Sequence, residues 1–131
     1  MIDLELLGLP TDCWKCGRNT VALVAVSPMG AREEDELFLT DEPAALALAA
    51  AHLPVGTSQV GEIKKRASRT AGETYLSNGC FHCDALLGNF SLFQEELLEV
   101  FGAEGTLGLE VLATFSLPGT EWELARWAAA S

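Results

Sequence analysis

Four cysteines in two pairs constrain the fold of this chain more than any other feature. Cys13 and Cys16 lie in "TDCWKCGRNT" and Cys80 and Cys83 lie in "NGCFHCD", which gives the pattern C-x2-C-x63-C-x2-C. Zinc prefers four tetrahedral ligands, and each CxxC turn can direct two sulfurs at one ion. Two such turns complete a four-thiolate shell that leaves no position for water. The pattern therefore predicts one structural zinc site, with all four cysteines as ligands.

The long gap between the two pairs predicts where the rest of the domain lies. The gap of 63 residues is longer than the usual spacing of a zinc ribbon. Closing a longer loop costs only about 0.6 kcal/mol per doubling of its length, so the spacing does not exclude a shared site. The chain of 131 residues has the length of one domain. We therefore predict a single domain over 1–131 with zinc knuckles at 11–18 and 78–85, in which the segment between the knuckles forms the body of the domain.

Other uses of the cysteines stay open at this point. A redox dithiol of the thioredoxin type begins a helix after a strand in a βαβ unit, and neither pair has that setting. Iron accepts the same four thiolates, so the sequence does not separate zinc from iron. His82 lies inside the second CxxC turn and could replace a cysteine as ligand. The middle positions of such turns usually point away from the metal, so we expect His82 not to be a ligand.

The residues around the cysteines predict the local shape of each turn. The residue after the second cysteine often needs a left-handed conformation, which Gly17 adopts freely and Asp84 tolerates better than most residues. Trp14 and Phe81 occupy equivalent positions in the two turns. We expect both rings to cover the metal or to pack on the sheet, with contact to a partner as the alternative.

The apolar pattern along the chain predicts an α+β fold, an antiparallel sheet with a split zinc ribbon and two or three helices. The segment 60–73 is ambiguous, and the end of the chain could be a short helix capped by Thr120 and Glu123 or one more strand. Strands are predicted at 3–7, 20–27, 36–40, 74–78 and 106–117. Helices are predicted from an N-cap at Asp41 to about Leu53, and over 91–102.

Two of these segments carry specific packing expectations. The last strand is expected to place its apolar residues on one side of the sheet, namely Leu107, Leu109, Val111, Ala113 and Phe115. The helix over 91–102 is expected to have one apolar face, formed by Leu92, Leu97, Leu98 and Phe101. Asn78 is expected to shape a turn with Gly79 before Cys80, whereas contact of Asn78 or Asn89 with a ligand is the alternative.

The charge of the chain bears on its partners. The net charge is −11, which repels nucleic acid and anionic membranes at long range. The acidic run 33–36 is expected to be a solvated loop. A local basic patch would need six residues to converge on one face, namely Lys15, Arg18, Lys64, Lys65, Arg66 and Arg69.

The function classes follow from what the sequence contains and lacks. It has no Gly-rich phosphate loop, no HExxH and no GxSxG, and its two histidines have no paired nucleophile. These observations disfavour an enzyme, which would need an open metal site or a reactive dithiol. We predict instead a module that binds another protein, favoured by the acidic surface and by an apolar tail with Trp122 and Trp127. The alternative is a nucleic-acid-binding zinc ribbon, which the net charge disfavours.

The ends and apolar runs of the chain predict its location. The stretch "MIDLELLGLP" carries acids and lacks the basic region of a signal peptide. The longest apolar run, 43–54, is too short to span a bilayer. We therefore predict a cytoplasmic protein with no membrane association, in which the thiols stay reduced.

Two segments resemble a set of small bacterial proteins that carry a split zinc ribbon. The resemblance covers about a quarter of the chain, in "CWKCGRNT" and "RTAGETYLSNGCFHCDALLGNF". It implies a bacterial origin and zinc binding but no activity, since no reaction is established for the group. Asp84 departs from the pattern, which usually has glycine there. The matching positions are Cys13, Trp14, Lys15, Cys16 and Gly17, then Tyr75, Leu76, Asn78, Cys80, Cys83, Ala85, Gly88, Asn89 and Phe90.

Overall fold

The fold is α+β, with two antiparallel sheets and two helices in the part of the chain that the structure describes. The computed structural model describes residues 1–30, 37–54, 56–57, 59–69, 72–88, 92–93, 97 and 109–130, and for residues 128–130 it describes the backbone alone. The strands are β1 (Ile2–Asp12), β2 (Asn19–Pro28), β3 (Phe38–Leu39), β4 (Lys64–Ser68), β5 (Glu73–Gly79), β6 (Leu86–Leu87) and β7 (Glu110–Leu117), and the helices are α1 (Pro43–His52) and α2 (Gly119–Ala130).

The larger sheet has the order β3-β2-β1-β7, and its strand β2 is buried on both faces. β2 lies between β1 and β3, and all residues from Thr20 to Ser27 are buried, as the run of β-branched and apolar residues predicts. On one face, α1 and α2 cover a core that includes Leu4, Leu46 and Trp122. The opposite face packs against a second core that includes Leu87 of β6.

Two β-bulges near the middle of β1 change which residues face each core. Leu7 pairs with Ala25 and Gly8 with Leu23, so that Val24 is the extra residue in β2. In the same way Leu6 pairs with Ala113 and Leu7 with Val111, which leaves Leu112 extra in β7. The prediction of one apolar side for the last strand is therefore wrong. Leu109 joins the second core, while Ala113 and Phe115 pack on the first core, because the extra residue shifts the alternation.

The smaller sheet has the order β4-β5-β6 and contains the second cysteine pair. β4 and β5 form an antiparallel hairpin, so the ambiguous segment 60–73 contains a strand. Asn78 pairs with Leu87 and Gly79 with Leu86, which brings β6 back alongside β5 after the second knuckle. Asn78 and Gly79 thus belong to a strand, and the prediction of a turn at these residues is wrong.

Several predicted elements differ from the structure at their ends. The first strand is 11 residues long and continues to Asp12, because Pro10 and Thr11 still pair with β2. The N-cap of α1 is Glu42 rather than Asp41, and Pro43 takes the first position of the helix. The tail is a helix, but Trp122 donates its backbone N–H to the carbonyl of Pro118. Thr120 therefore lies inside the first turn and is not its cap.

Some sequence expectations lie outside the described residues. These are the acidic run 33–36, Leu107, Asn89 and most of the helix over 91–102. Of that helix only Leu92 and Leu97 are described among its predicted apolar face, and both are buried. Among the described residues, neither helix has the length and apolar character needed to cross a bilayer.

Candidate metal centre

The two CxxC turns have the same backbone structure. In the first turn, the Cys13 N–H donates to the Arg18 carbonyl, and the Cys13 carbonyl accepts from the Gly17 N–H, both at 2.9 Å. In the second turn, the Cys80 N–H donates to the Ala85 carbonyl at 2.9 Å, and the Asp84 N–H donates to the Cys80 carbonyl at 3.0 Å. Residues 67 positions apart therefore play the same role in the two knuckles, as their sequences predict.

The left-handed residue expected in each knuckle is present. Gly17 has a φ of +74° and Asp84 a φ of +63°. A residue with a Cβ is strained in this region, and aspartate is among those that tolerate it best. The two knuckles therefore reach one geometry by different means, a glycine in the first and an aspartate in the second.

The structure brings all four predicted ligands together. The four Sγ atoms lie within 4.8 Å of one another, with Cys13 and Cys83 at 3.5 Å and Cys16 and Cys80 at 3.7 Å. Four thiolates around zinc, each at about 2.3 Å, would place neighbouring sulfurs about 3.8 Å apart. None of the four cysteines is in a disulfide. The cluster thus has the size and the donor set for one tetrahedral metal ion.

The two knuckles expose their sulfurs unequally. The first cysteine of each pair, Cys13 and Cys80, is buried. The second cysteine is exposed in the first knuckle, Cys16, and half-buried in the second, Cys83. A metal ion at this site would therefore face protein on the side of Cys13 and Cys80 and would be nearest to solvent at Cys16.

The thiols influence one another's ionisation. Burial raises the pKa of Cys13, but the backbone N–H groups of Cys16 and Lys15 favour its thiolate and leave the pKa at about 7. For Cys83, the backbone N–H of Ala85 lowers the pKa, while burial and the neighbouring sulfurs raise it to about 11. Four adjacent thiols thus resist full deprotonation, because neighbouring thiolates repel one another. A divalent cation that binds them offsets this repulsion.

Side chains from each knuckle bond to the backbone of the other. The Trp14 indole N–H donates to the Leu86 carbonyl at 2.6 Å. Nε2 of His82 lies 3.1 Å from the Asn19 carbonyl and must carry the proton, because a carbonyl only accepts. Asn19 and Leu86 occupy the same position in the two knuckles, six residues after the first cysteine. His82 is therefore a bridge between the knuckles and is not one of the clustered ligands.

An ion-pair cluster supports the second knuckle. The Arg66 guanidinium donates to the backbone carbonyl and to the Oδ1 of Asp84, and Lys64 Nζ lies 2.7 Å from the Oδ2 of the same carboxylate. These two cations hold the pKa of Asp84 below its usual range, mainly through the hydrogen bonds from Lys64 and Arg66. The aspartate that departs from the resembled pattern is thus bound to the basic segment "KKRASR".

The ion-pair cluster bears on whether the six basic residues form one surface patch. Lys64 and Arg66 are committed to Asp84, and Arg66 is buried. Lys65 and Arg69 are exposed, as are Lys15 and Arg18 at the first knuckle. Successive residues of a strand point to opposite faces, so Lys65 does not share a face with Lys64 and Arg66. A patch built from all six basic residues is therefore not formed.

Asn78 joins the second knuckle to the larger sheet. Its Oδ1 accepts from the Leu23 N–H at 2.8 Å, and its Nδ2 donates to the Leu23 carbonyl at 2.9 Å. Thr40 donates its hydroxyl to the same carbonyl at 2.6 Å. Asn78 is only 1% exposed. Its side-chain amide makes the two hydrogen bonds to Leu23 that a neighbouring strand would make, at a point where the pairing of β2 with β3 has ended. Its role here is structural.

The aromatic residues of the knuckles and the tail differ in exposure. Trp14 is 71% exposed and Phe81 is 51% exposed, so neither is buried over the cluster. Phe81 adjoins a groove of about 320 Å³ that is lined on its apolar side by Ala50, Leu53, Pro54, Val60 and Ile63. Trp122 is buried against Phe38, whereas Trp127 is 71% exposed. The apolar tail therefore contributes one tryptophan to the core and one to the surface.

The sequence predicts that the four cysteines lie together, which the structure shows, but it does not predict the side chains that support them. The sequence does not predict the ion pair of Arg66 with Asp84 or the hydrogen bonds of Asn78 to Leu23. The sequence contains one signal for this ion pair: Asp84 is an acidic residue at a position that favours glycine, and the same chain has a basic segment at 64–69. Comparison with known protein families, curated proteins and solved structures yields no significant match. The resemblance to split zinc-ribbon proteins therefore remains a prediction.

Proposed function

We propose that this chain is a zinc-binding protein in which a structural, four-cysteine zinc joins two knuckles, and that it acts as a protein-interaction module in the cytoplasm. The observation that carries the metal site is the cluster of four thiols within 4.8 Å. Both knuckles already have the backbone turns that direct N–H groups at the first sulfur, from Lys15 and from His82. Four sulfur ligands leave no open position, as in structural zinc sites.

The proposal of an interaction role rests on the surface. The exposed large apolar side chains include Trp14 and Phe81 at the knuckles and Leu124 and Trp127 on α2. Exposed apolar groups of this size are found where proteins contact partners. The groove beside Phe81 offers a concave surface of mixed apolar and polar lining, the polar side chains being Thr57 and Glu62, for a partner side chain. Because the metal would hold the knuckles in place, the partner surface at Phe81 would depend on it.

Cobalt substitution tests the metal site independently of any partner. Co²⁺ added to the metal-free protein under reducing conditions should give the intense visible absorption of a tetrahedral tetrathiolate complex and saturate at one equivalent per chain. Zinc should then displace it, because zinc binds such sites more tightly than cobalt. Saturation at two equivalents, or the same spectrum from a Cys80→Ser variant, would contradict a shared site. Elemental analysis of protein from its native source separates zinc from iron.

Affinity capture tests the interaction role with matched variants. Wild-type protein, Phe81→Ser and Trp127→Ser should be compared by quantitative mass spectrometry of captured proteins, with Cys80→Ser as the variant that lacks the metal. We expect a protein whose recovery falls with one surface variant and with Cys80→Ser, and whose purified form binds the wild-type chain directly. No protein with this dependence would contradict the role.

The same preparation decides the nucleic-acid alternative. Binding to single- and double-stranded DNA and RNA should be measured at about 50 mM and about 200 mM salt, since phosphate contacts weaken steeply over this range. The variant should reverse Lys65 and Arg69, which are exposed, because reversing Lys64 or Arg66 would also break their bonds to Asp84. Salt-dependent binding that this variant abolishes would replace the protein-interaction proposal.

A further inference from the structure

The buried guanidinium of Arg66 spans both ends of the second knuckle. Nη1 donates to the Ser77 carbonyl at 3.0 Å and to its hydroxyl at 3.3 Å, and Nη2 donates to the Glu62 carbonyl at 2.8 Å. Nε donates to the Asp84 carbonyl at 3.2 Å, and Nη2 also bonds to the Asp84 carboxylate. A guanidinium has five N–H donors, and these five contacts use them all. Arg66 therefore has no donor left for an external phosphate or carboxylate.

The backbone next to the cysteines leaves room for this side chain. Gly79 directly precedes Cys80, and a Cβ on Gly79 would lie 2.2 Å from Nη2 of Arg66. Asp84 directly follows Cys83. Arg66 thus contacts the chain immediately before and immediately after the second pair of cysteines. Its position fixes both ends of the loop that carries these two sulfurs.

The first knuckle is supported differently, by the β1–β2 ladder, which extends to the Asp12–Asn19 pair, and by the Trp14 and His82 hydrogen bonds that link the two knuckles, and not by a buried cation. Gly17, the counterpart of Asp84, has no side chain to pair, and no atom lies within 4 Å of the place where its Cβ would be. Among the described residues, no ion pair reaches this turn. Cys16 is also the most exposed of the four ligands. The two halves of the site therefore share a backbone geometry but differ in two respects: only the second has a buried arginine at its ends, and only the first has an exposed cysteine.

We propose that Arg66, together with Asp84 and Lys64, positions the second knuckle so that its two cysteines hold the metal more firmly than those of the first. The metal is then released through the first knuckle, beginning with the loss of Cys16 as a ligand. The inference rests on the proposed metal site and adds an order to its opening. Groups that support ligands in this way commonly change metal affinity about 10- to 100-fold when replaced.

The test combines metal release with cysteine labelling in the metal-loaded chain. Release into a chromophoric chelator gives the rate, and brief labelling with N-ethylmaleimide, mapped by mass spectrometry, gives the order in which thiols become free. In the wild type, Cys16 should be labelled before Cys83. In Arg66→Met, release should be about 10- to 100-fold faster, and Cys83 should be labelled as early as Cys16.

Three further variants separate positioning from general stability. Asp84→Gly removes the carboxylate but suits the φ of +63° at this residue, so the turn can still form. It should change the rate and the labelling order in the same direction as Arg66→Met, and it decides the question if Arg66→Met does not fold. Lys65→Met removes a neighbouring, exposed positive charge on the other face of β4 and should change neither. Arg66→Lys keeps the positive charge but replaces the planar guanidinium by a single ammonium group, and it should not restore the wild-type rate of metal release.

Defined outcomes would overturn the inference. One is wild-type release and labelling order in folded Arg66→Met or Asp84→Gly. Another is faster release with Cys16 still labelled well before Cys83, which would indicate a general loss of stability. Wild-type behaviour of Arg66→Lys would show that charge alone suffices. A wild-type chain that binds no metal would overturn the proposed function itself, and the initial metal content distinguishes the two failures.

Discussion

Trp14 donates its indole N–H to the backbone carbonyl of Leu86 at 2.6 Å, and so links the first knuckle to the strand that follows the second. The two residues are 72 positions apart in the chain. The bond joins the two halves of the cysteine cluster through protein atoms alone. Three contacts of this kind cross between the knuckles, the others being His82 to the Asn19 carbonyl and the Phe81 N–H to the Thr20 hydroxyl.

Replacing Trp14 tests this link. Trp14→Phe keeps an aromatic ring but removes the donor, and we expect a loss of about 0.5 kcal/mol in the free energy of unfolding, because the bond is solvent-exposed. Urea denaturation of the metal-loaded protein measures it. Phe81→Leu is the matched control, since Phe81 takes the equivalent position and its ring has no donor. A larger loss in Phe81→Leu than in Trp14→Phe would contradict the role of the indole N–H.

Asn78 offers a test of how the two sheets are joined. Asn78→Leu keeps the side-chain volume but leaves the buried N–H of Leu23 without an acceptor. We expect the free energy of unfolding to fall by about 3 kcal/mol, because both hydrogen bonds of the Asn78 side-chain amide are lost and the Leu23 N–H is left unpaired. Thr40→Val should cost about 1 kcal/mol, since the Leu23 carbonyl keeps its bond from Asn78. Urea denaturation compares the two. Equal losses would show that Asn78 is not the main connection at Leu23.

The left-handed residue of the first knuckle can be tested without steric interference. Gly17 has a φ of +74°, and no atom lies within 4 Å of its Cβ position. Gly17→Ala should therefore cost about 1 to 2 kcal/mol through backbone strain alone. Gly17→Asn should cost less, because asparagine tolerates this conformation better. Thermal unfolding of the metal-loaded variants gives the order, and an alanine variant as stable as the wild type would contradict the geometry of this turn.

Gly79 tests close packing rather than conformation. A methyl group here would meet the Arg66 guanidinium, so Gly79→Ala should displace a buried, fully bonded side chain and cost about 3 kcal/mol. Gly88→Ala is the control, because nothing lies within 4 Å of its Cβ position. Denaturant midpoints should separate the two variants clearly. Similar midpoints would mean that Arg66 does not lie against Gly79.

The sequence predicts the cysteine site well because its information is local. A CxxC turn with Gly17 or Asp84 after it specifies its own backbone, and both left-handed residues are confirmed. The buried strand β2 and the strand leading into Cys80 are also confirmed, since runs of β-branched and apolar residues mark them. The fold class follows from these elements and is likewise confirmed.

The sequence does not predict the features that depend on distant contacts. The bulge at Leu112 arises from pairing with β1 and reverses the facing of β7, which a period of two cannot anticipate. The run "KKRASR" suggests a single basic surface, but strand geometry separates its residues, and the pairing with Asp84 withdraws two of them. Asn78 suggests a turn in isolation, whereas the unpaired edge of β2 gives it a different role.

The number of metal ions per chain tests the central claim most directly. Native mass spectrometry of the purified wild-type protein should show one zinc ion per chain, and single replacements at Cys13 and at Cys80, one from each knuckle, should each abolish its retention. Each buried sulfur supplies one of four ligands, and loss of either opens the shell. A wild-type chain without bound metal, or a Cys80→Ser chain that still retains its zinc, would contradict a single centre shared by both knuckles.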